Sequence, residues 1–87
     1  MNTIELMRDK LASLQADHLD IEDESAQHAG HAGAKSGGGH YRVHIVSNAF
    51  SGKNTLARHR LVYDALGSMM HKDIHALTIL SHTPDEL

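Results

Sequence analysis

Residues 50–80 place the strongest constraint on the fold, because two apolar patterns of different period follow one another there. In the first half, apolar residues recur at steps of three and four, which is the spacing of an amphipathic helix. The second half, residues 75–81, is a short apolar run typical of a strand, with Leu77 and Ile79 facing inward. The helix and the strand each need a partner for their apolar side. The helix must therefore pack on the sheet that contains the strand.

The central helix of this stretch is predicted to begin at Asn54 or Thr55, since either side chain can cap it, and to end near residue 70. The residues predicted to face the core are Leu56, His59, Val62, Tyr63, Leu66 and Met70. Those predicted to turn away are Arg58, Leu61, Ala65 and Ser68. His59 is therefore expected to be mainly structural, with a ring satisfied at the margin of helix and sheet.

One helix and two strands are predicted upstream of this stretch. Apolar residues recur at helical steps from Ile4 to Leu14, which predicts a helix over residues 3–15 with Asn2 as its cap. Apolar and polar residues alternate over residues 18–23 and again over residues 41–47, which predicts two strands. Between them, residues 25–39 are rich in Gly, Ala, Ser and His, a composition typical of a flexible surface connection.

The predicted order is helix, strand, strand, helix, strand, and Thr83 and Pro84 then begin a short helical turn. The first two strands can pair as an antiparallel hairpin, with the first strand at an edge. The third can join them in parallel through a right-handed crossover. We therefore predict an α+β fold with a three-stranded sheet and its helices on one face, forming a single domain over residues 1–87.

Composition excludes several classes of function. The chain has no cysteine, which removes disulfides, thiol nucleophiles and all-cysteine metal sites. Ser68 and the acidic residues within 20–23 have no convergent partner in the pattern, so we do not expect an enzyme. The formal net charge of -3 does not favour general phosphate binding. No apolar run reaches the roughly 18 residues of a membrane helix, and we expect a soluble, cytoplasmic protein.

The nine histidines leave two interpretations open. Imidazole is a ligand for zinc, nickel and copper, so a metal could be held by His28, His31, His40 and His75. However, His28 and His31 lack the helical i, i+4 spacing that makes paired histidines a specific zinc signal. Taken alone, this spacing favours a solvated loop with incidental metal binding.

A nucleic-acid interface is the other candidate that the residues suggest. Lys53, Arg58 and Arg60 cluster near the start of the central helix, where backbone N–H groups and the helix dipole also favour phosphate. The opposing interpretation is a solvated face, since the chain is acidic overall and has no GxxG between helices.

Five motifs in order resemble those of the BolA family: IEDES from residue 21, HAGH from residue 28, GHYRVHIVSNAFSGK from residue 39, RHRLVYDAL from residue 58 and IHALTI from residue 74. The resemblance covers nearly the whole chain. It implies a fold related to the KH domain of the second type. It also implies cytosolic proteins that bind monothiol glutaredoxins and share a 2Fe–2S cluster with them, and members that act as transcription regulators.

The resemblance also implies which residues bind the cluster. In the histidine-loop branch of the family, one ligand comes from the loop between the first two strands and one from the IHAL motif, which are His28 and His75 in this chain. His31 is a substitute ligand three residues further along the same loop. Residues 36–39 lengthen that loop with flexible residues. Without a partner, the chain is expected to be a monomer or weak dimer without cofactor.

Overall fold

The computed structural model describes residues 2–24 and 39–87 of the chain. Its helices are α1 (Thr3–Leu11), α2 (Thr55–Leu66) and α3 (Met69–Lys72), and its strands are β1 (His18–Asp23), β2 (Gly39–Val46) and β3 (Ile74–His82). Short 3-10 turns cover Ala12–Leu14, Asn48–Phe50 and Pro84–Glu86. Within the described ranges, no helix is long and apolar enough to cross a membrane.

The three strands form one mixed sheet in the order β1-β2-β3. Strand β1 pairs antiparallel with β2, and β2 pairs parallel with β3. The register places His18 opposite Val46 at one end of the hairpin and Asp23 opposite Tyr41 at the other. The predicted α+β fold, its three-stranded sheet and both strand pairings are therefore confirmed. Strand β2 begins two residues before its predicted start, at Gly39.

One apolar core joins the sheet to the helices. The side chains that form it are Met7, Leu11, Ile21, Tyr41, Val43, Ile45, Phe50, Val62, Leu66, Met69, Ile74 and Ile79. They come from all three helices, all three strands and the turn that follows β2. Because inward residues alternate with outward residues along a strand, the helices cover one face of the sheet.

The predicted buried face of α2 is only partly correct. Val62 and Leu66 are buried as predicted, but Leu56 is 62% exposed and Tyr63 is 39% exposed. Leu61 and Ala65, predicted to turn away, pack against the core, and Met70 packs against it as predicted. Val62 and Leu66 lie in the middle of the buried face, and apolar residues are found on both sides of them. Helical spacing alone therefore did not determine which side of α2 meets the sheet.

Side-chain caps and one glycine set the helix ends. Asn54 Oδ1 accepts a hydrogen bond from the Ala57 N–H at 2.9 Å, so Asn54 is the cap of α2. The predicted end near residue 70 is wrong, because Gly67 adopts φ 58° and ψ -130° and ends α2 after Leu66. A separate helix, α3, begins at Met69.

Candidate functional site

His75 lies at the start of β3, where the pairing with β2 is irregular. Gly39 pairs with Ile74, but the next residue of β2, His40, pairs with Ala76. His75 is therefore an extra residue with no counterpart on β2, which is the geometry of a β-bulge. Ile74 is buried in the core and fixes the strand, whereas the His75 side chain is exposed.

Two histidine rings lie together at the bulge. The centroids of the His40 and His75 rings are 5.1 Å apart, and the ring planes are tilted by 42°. His40 is half-buried and His75 is exposed, so solvent reaches the pair. Sequence reasoning named both residues as possible metal ligands but could not place them next to each other, because their proximity depends on the register between β2 and β3.

The two ends of the segment 25–38 lie beside this histidine pair. The Glu24 N–H donates a hydrogen bond to the His40 carbonyl oxygen at 2.7 Å, and the Gly39 N–H donates to the Asp73 carbonyl oxygen at 3.1 Å. The described residues that flank the segment, Glu24 and Gly39, therefore lie near the start of β3. His28 and His31, the predicted loop ligands, lie outside the described residues.

A second group of histidines lies on the sheet face that the helices leave uncovered. His44 alternates with the core residues Val43 and Ile45 and so points away from the core. Its ring centroid is 5.3 Å from that of His18 and 5.4 Å from that of His82. We did not predict this row, and only the strand register could have shown it.

The row leaves two buried nitrogen atoms unsatisfied. His44 Nε2 and His82 Nδ1 have no hydrogen-bond partner among the described residues. The two rings meet nearly perpendicular, at 87°, which is an edge-to-face packing geometry and does not point both nitrogens at one ion. Across residues 2–24 and 39–87, no group of three or more histidine, cysteine or acidic side chains is arranged to hold a metal ion.

Arg58 joins the start of α2 to the C-terminal turn. Its Nε donates to the Lys53 carbonyl oxygen at 2.8 Å, and its Nη1 donates to the Ser81 carbonyl oxygen at 3.3 Å. Nη1 and Nη2 also bind the two carboxylate oxygens of Glu86, at 2.6 and 2.8 Å. The guanidinium therefore stabilises the contact between α2 and the end of β3.

The charge of Glu86 depends on this arrangement. Its hydrogen bonds from the Arg58 guanidinium and then from the Thr83 N–H lower the pKa of the Glu86 carboxyl to about 2. The same pairing raises the pKa of Arg58 above its ordinary value. Glu86 therefore stays ionised at neutral and mildly acidic pH, and Arg58 keeps its partner.

The three predicted nucleic-acid residues differ in what they present to solvent. Lys53, just before α2, and Arg60, in its second turn, are exposed. The Arg58 side chain is only 13% exposed, and its donors bind groups of the same chain. His59 is half-buried on α2, and its mainly structural role stays a prediction.

These features define a class of protein: a small α+β domain with a mixed three-stranded sheet, helices on one face and a histidine at a bulge on an edge strand. The sequence matches the family BolA, described as BolA-like protein, over residues 11–86. The chain belongs to the BolA family.

Known relatives support the same assignment. The Arabidopsis thaliana chloroplastic protein BOLA1 is 47% identical over 98% of this chain and 56% of its own length. The Escherichia coli protein named DNA-binding transcriptional regulator BolA is 36% identical over 94% of this chain and 76% of its own length. Among solved structures, BolA1 from Arabidopsis thaliana superposes with a TM-score of 0.85 and 46% identity, covering 100% of this chain and 97% of that one.

Several curated relatives are much longer than this chain. It spans 56% of the chloroplastic BOLA1 and only 24% of the SufE-like protein 1 of Arabidopsis thaliana, to which it is 42% identical. The similarity therefore identifies the BolA-like domain that these proteins share. The fold and family of the chain follow from the similarity, whereas its activity and partners are matters for proposal.

Proposed function

We propose that this chain is a non-enzymatic adaptor that binds a monothiol glutaredoxin and shares a 2Fe–2S cluster with it. In this proposal His75 provides one ligand and His28 another, with His31 as the substitute for His28. The glutaredoxin provides the remaining ligands. A cytoplasmic location stays a prediction, and relatives include a chloroplastic protein.

The position of His75 is the observation that supports this proposal most directly. The bulge exposes its ring at a fixed point of the sheet, and both ends of the segment that contains His28 lie beside it. His28 is four residues beyond Glu24, and four residues span at most about 13–14 Å. The chain length therefore allows His28 to reach the neighbourhood of His75.

The available ligands fit a shared cluster better than one that this chain holds alone. The chain offers imidazole nitrogens and no thiolate, whereas 2Fe–2S clusters are bound by cysteine with histidine as an occasional replacement. Such a cluster supplies one-electron chemistry when it is bound, and histidine ligation raises its reduction potential. Thiolates must accordingly come from a partner.

The proposal is tested by mixing the chain with a cluster-loaded monothiol glutaredoxin and recording visible absorbance and circular dichroism. We expect the unmodified chain to change both spectra, because replacing a cluster ligand with imidazole alters the iron environment. His75→Ala should remove that change and weaken the complex.

His71→Ala is the matched control, since His71 is an exposed histidine on α3 and its loss leaves the bulge intact. This control should behave like the unmodified chain. If His75→Ala alters neither the spectra nor the affinity for the glutaredoxin, His75 is not a ligand and the proposal fails.

DNA binding is a second candidate function, because two exposed cations lie near the start of α2, one before it and one in its second turn. Lys53 and Arg60 are exposed there, and a relative with 36% identity is named a DNA-binding transcriptional regulator. Arg58 would act indirectly, by fixing the turn that contains Lys53. A negative net charge limits this surface to local phosphate contacts.

Replacing Lys53 and Arg60 together with glutamine should weaken binding to promoter DNA and reduce its salt dependence. Each phosphate contact that is lost lowers the slope of log affinity against log salt by about 1, so the double variant should lose about 2. Fluorescence anisotropy with a labelled promoter fragment at several salt concentrations measures both quantities.

The control removes the same charge elsewhere: Arg42 on the open sheet face and Lys72 at the end of α3 are both exposed. Replacing these two with glutamine should leave the slope nearly unchanged. Equal losses in the two double variants would indicate a net-charge effect without a DNA site, and so would the absence of salt-sensitive binding by the unmodified chain.

A further inference from the structure

We propose that the open edge of β3 pairs with the same edge of a second copy of this chain. The two β3 strands run antiparallel, and a two-fold axis passes between their Leu77 residues. The two sheets then join into one continuous sheet. This pairing is a property of the free chain, and it does not rest on the glutaredoxin partner or on DNA binding.

Strand β3 is an edge strand without the usual protection against pairing. Its one neighbour in the sheet is β2. It is nine residues long, IHALTILSH, and contains no lysine, arginine, aspartate, glutamate or proline. Charged residues and proline are the means by which natural proteins keep an edge strand from pairing with another chain. Leu80, on the open face of this strand, is also 43% exposed.

The other edge of the sheet, β1, is unsuited to pairing with a copy of itself. Three of its residues, Asp20, Glu22 and Asp23, are acidic. Antiparallel pairing of two such strands would bring carboxylates of both copies together, and like charges across a strand pair are destabilising. Strand β3 has no charge that would repel its own copy, and none that would select a charged peptide in its place.

The ladder between β2 and β3 shows which backbone groups of β3 point out of the sheet. The His82 carbonyl oxygen accepts a hydrogen bond from the Ser47 N–H at 2.9 Å, so the backbone of His82 faces β2. Because successive residues of a strand face opposite sides, Leu77, Ile79 and Ser81 direct their N–H and carbonyl groups outward. Within the described residues, nothing hydrogen-bonds to the outward groups of Leu77 and Ile79.

Arg58 and the bulge limit the part of this edge that is open. The Arg58 Nη1 donates to the carbonyl oxygen of Ser81 at 3.3 Å, which occupies the outward group at the C-terminal end. At the N-terminal end, the bulge at His75 interrupts the ladder. The open part therefore covers residues 75–79, and Leu77 lies in its middle.

A two-fold axis at Leu77 pairs these outward groups with one another. The Leu77 N–H of each copy meets the Leu77 carbonyl oxygen of the other, and the Ile79 N–H meets the His75 carbonyl oxygen. The two Leu77 side chains, which pack against the margin of each core, also come into contact. The same arrangement brings Lys72, just before β3, toward the end of the second strand, which Asp85 follows.

The test follows mass and amide exchange of the full chain as its concentration rises. Sedimentation equilibrium at chain concentrations up to about 1 mM, a range that includes weak association, should show conversion of monomer to dimer. In hydrogen exchange, the Leu77 and Ile79 amides should become protected as the dimer forms. The Thr78 and Leu80 amides face β2 and should be protected at every concentration, which provides an internal control.

A pair of variants with the same added charge tests the position of the interface. Thr78 is exposed in the middle of β3, and Thr55 is exposed at the start of α2. Thr78→Lys should weaken dimerisation by about tenfold or more, because lysines of both copies would lie near the two-fold axis. Thr55→Lys should leave dimerisation unchanged. Far-ultraviolet circular dichroism verifies that both variants are folded.

Three results would overturn the proposal. The first is a chain that stays monomeric at about 1 mM. The second is a dimer in which the Leu77 and Ile79 amides exchange as fast as in the monomer, or in which new protection appears on β1. The third is a folded Thr78→Lys variant that dimerises as well as the unmodified chain. Each of these outcomes would leave the glutaredoxin proposal unaffected, because that proposal is tested separately through the cluster spectra.

Discussion

Phe50→Ala should lower the free energy of unfolding by about 3–5 kcal/mol, the range for truncating a fully buried phenylalanine. Phe50 has no exposed surface and is among the largest fully buried side chains. A domain of 87 residues is typically stable by about 4–13 kcal/mol in total, so this loss is a large share of it. Urea unfolding followed by far-ultraviolet circular dichroism measures the change.

The effect should reach beyond the core, because Phe50 also anchors the turn before α2. Its carbonyl oxygen accepts a hydrogen bond from the Lys53 N–H at 3.1 Å, and its N–H donates to the Ser47 carbonyl oxygen at 3.2 Å. Loss of the ring should therefore increase the motion of the segment that presents Lys53 on the candidate DNA surface.

Leu56→Ala is the control for this prediction, since Leu56 is also a large apolar residue but is 62% exposed. Its truncation should change the free energy of unfolding by no more than about 0.5 kcal/mol. Similar losses from Phe50→Ala and Leu56→Ala would mean that the burial assigned to these two residues is incorrect.

The order and pairing of the elements could be predicted because each has a clear period. Alternation over residues 18–23 and 41–47 predicts two strands, Asn2 predicts the start of α1, and Asn54 or Thr55 that of α2. A helix between two strands of one sheet allows a right-handed crossover, and the parallel pairing of β2 with β3 predicted on this basis is confirmed.

The face of α2 could not be predicted in the same way, because it depends on a distant residue. The helical pattern predicts that Arg58 turns away from the core, yet its guanidinium donates to the carbonyl oxygen of Ser81 and the carboxylate of Glu86. Glu86 is 28 residues away in the chain. A charged residue can lie on the packed face of a helix when such partners satisfy it.

The candidate site, too, could be predicted from the sequence only in part. Motif resemblance named His75 as a ligand, and the structure places it at an exposed bulge next to both ends of the segment 25–38. Its contact with His40 depends on the register of β2 against β3, which leaves no signature in hydrophobic periodicity. Likewise, His18, His44 and His82 are far apart in sequence and become neighbours only through strand pairing.

The break between α2 and α3 controls where β3 begins, and Gly67 is the residue that permits it. Gly67 adopts φ 58° with ψ -130°, a combination that residues with a side chain of the L configuration rarely adopt. We therefore expect Gly67→Ala to lower the free energy of unfolding by about 1–3 kcal/mol, the cost of a strained backbone position. Urea unfolding measures this loss.

Backbone strain, and not steric crowding, should cause that loss. A methyl group added at Gly67 would meet nothing closer than the Asp64 carbonyl oxygen, at 4.0 Å. Replacement of Gly67 by D-alanine in a synthetic chain adds the same number of atoms. For the D configuration, however, these angles mirror the extended region that L residues favour. D-alanine should match glycine or add about 0.4–1 kcal/mol by restricting the unfolded chain. Equal destabilisation by L-alanine and D-alanine would place the cost in packing, and the backbone of Gly67 would then not be what positions β3 and His75.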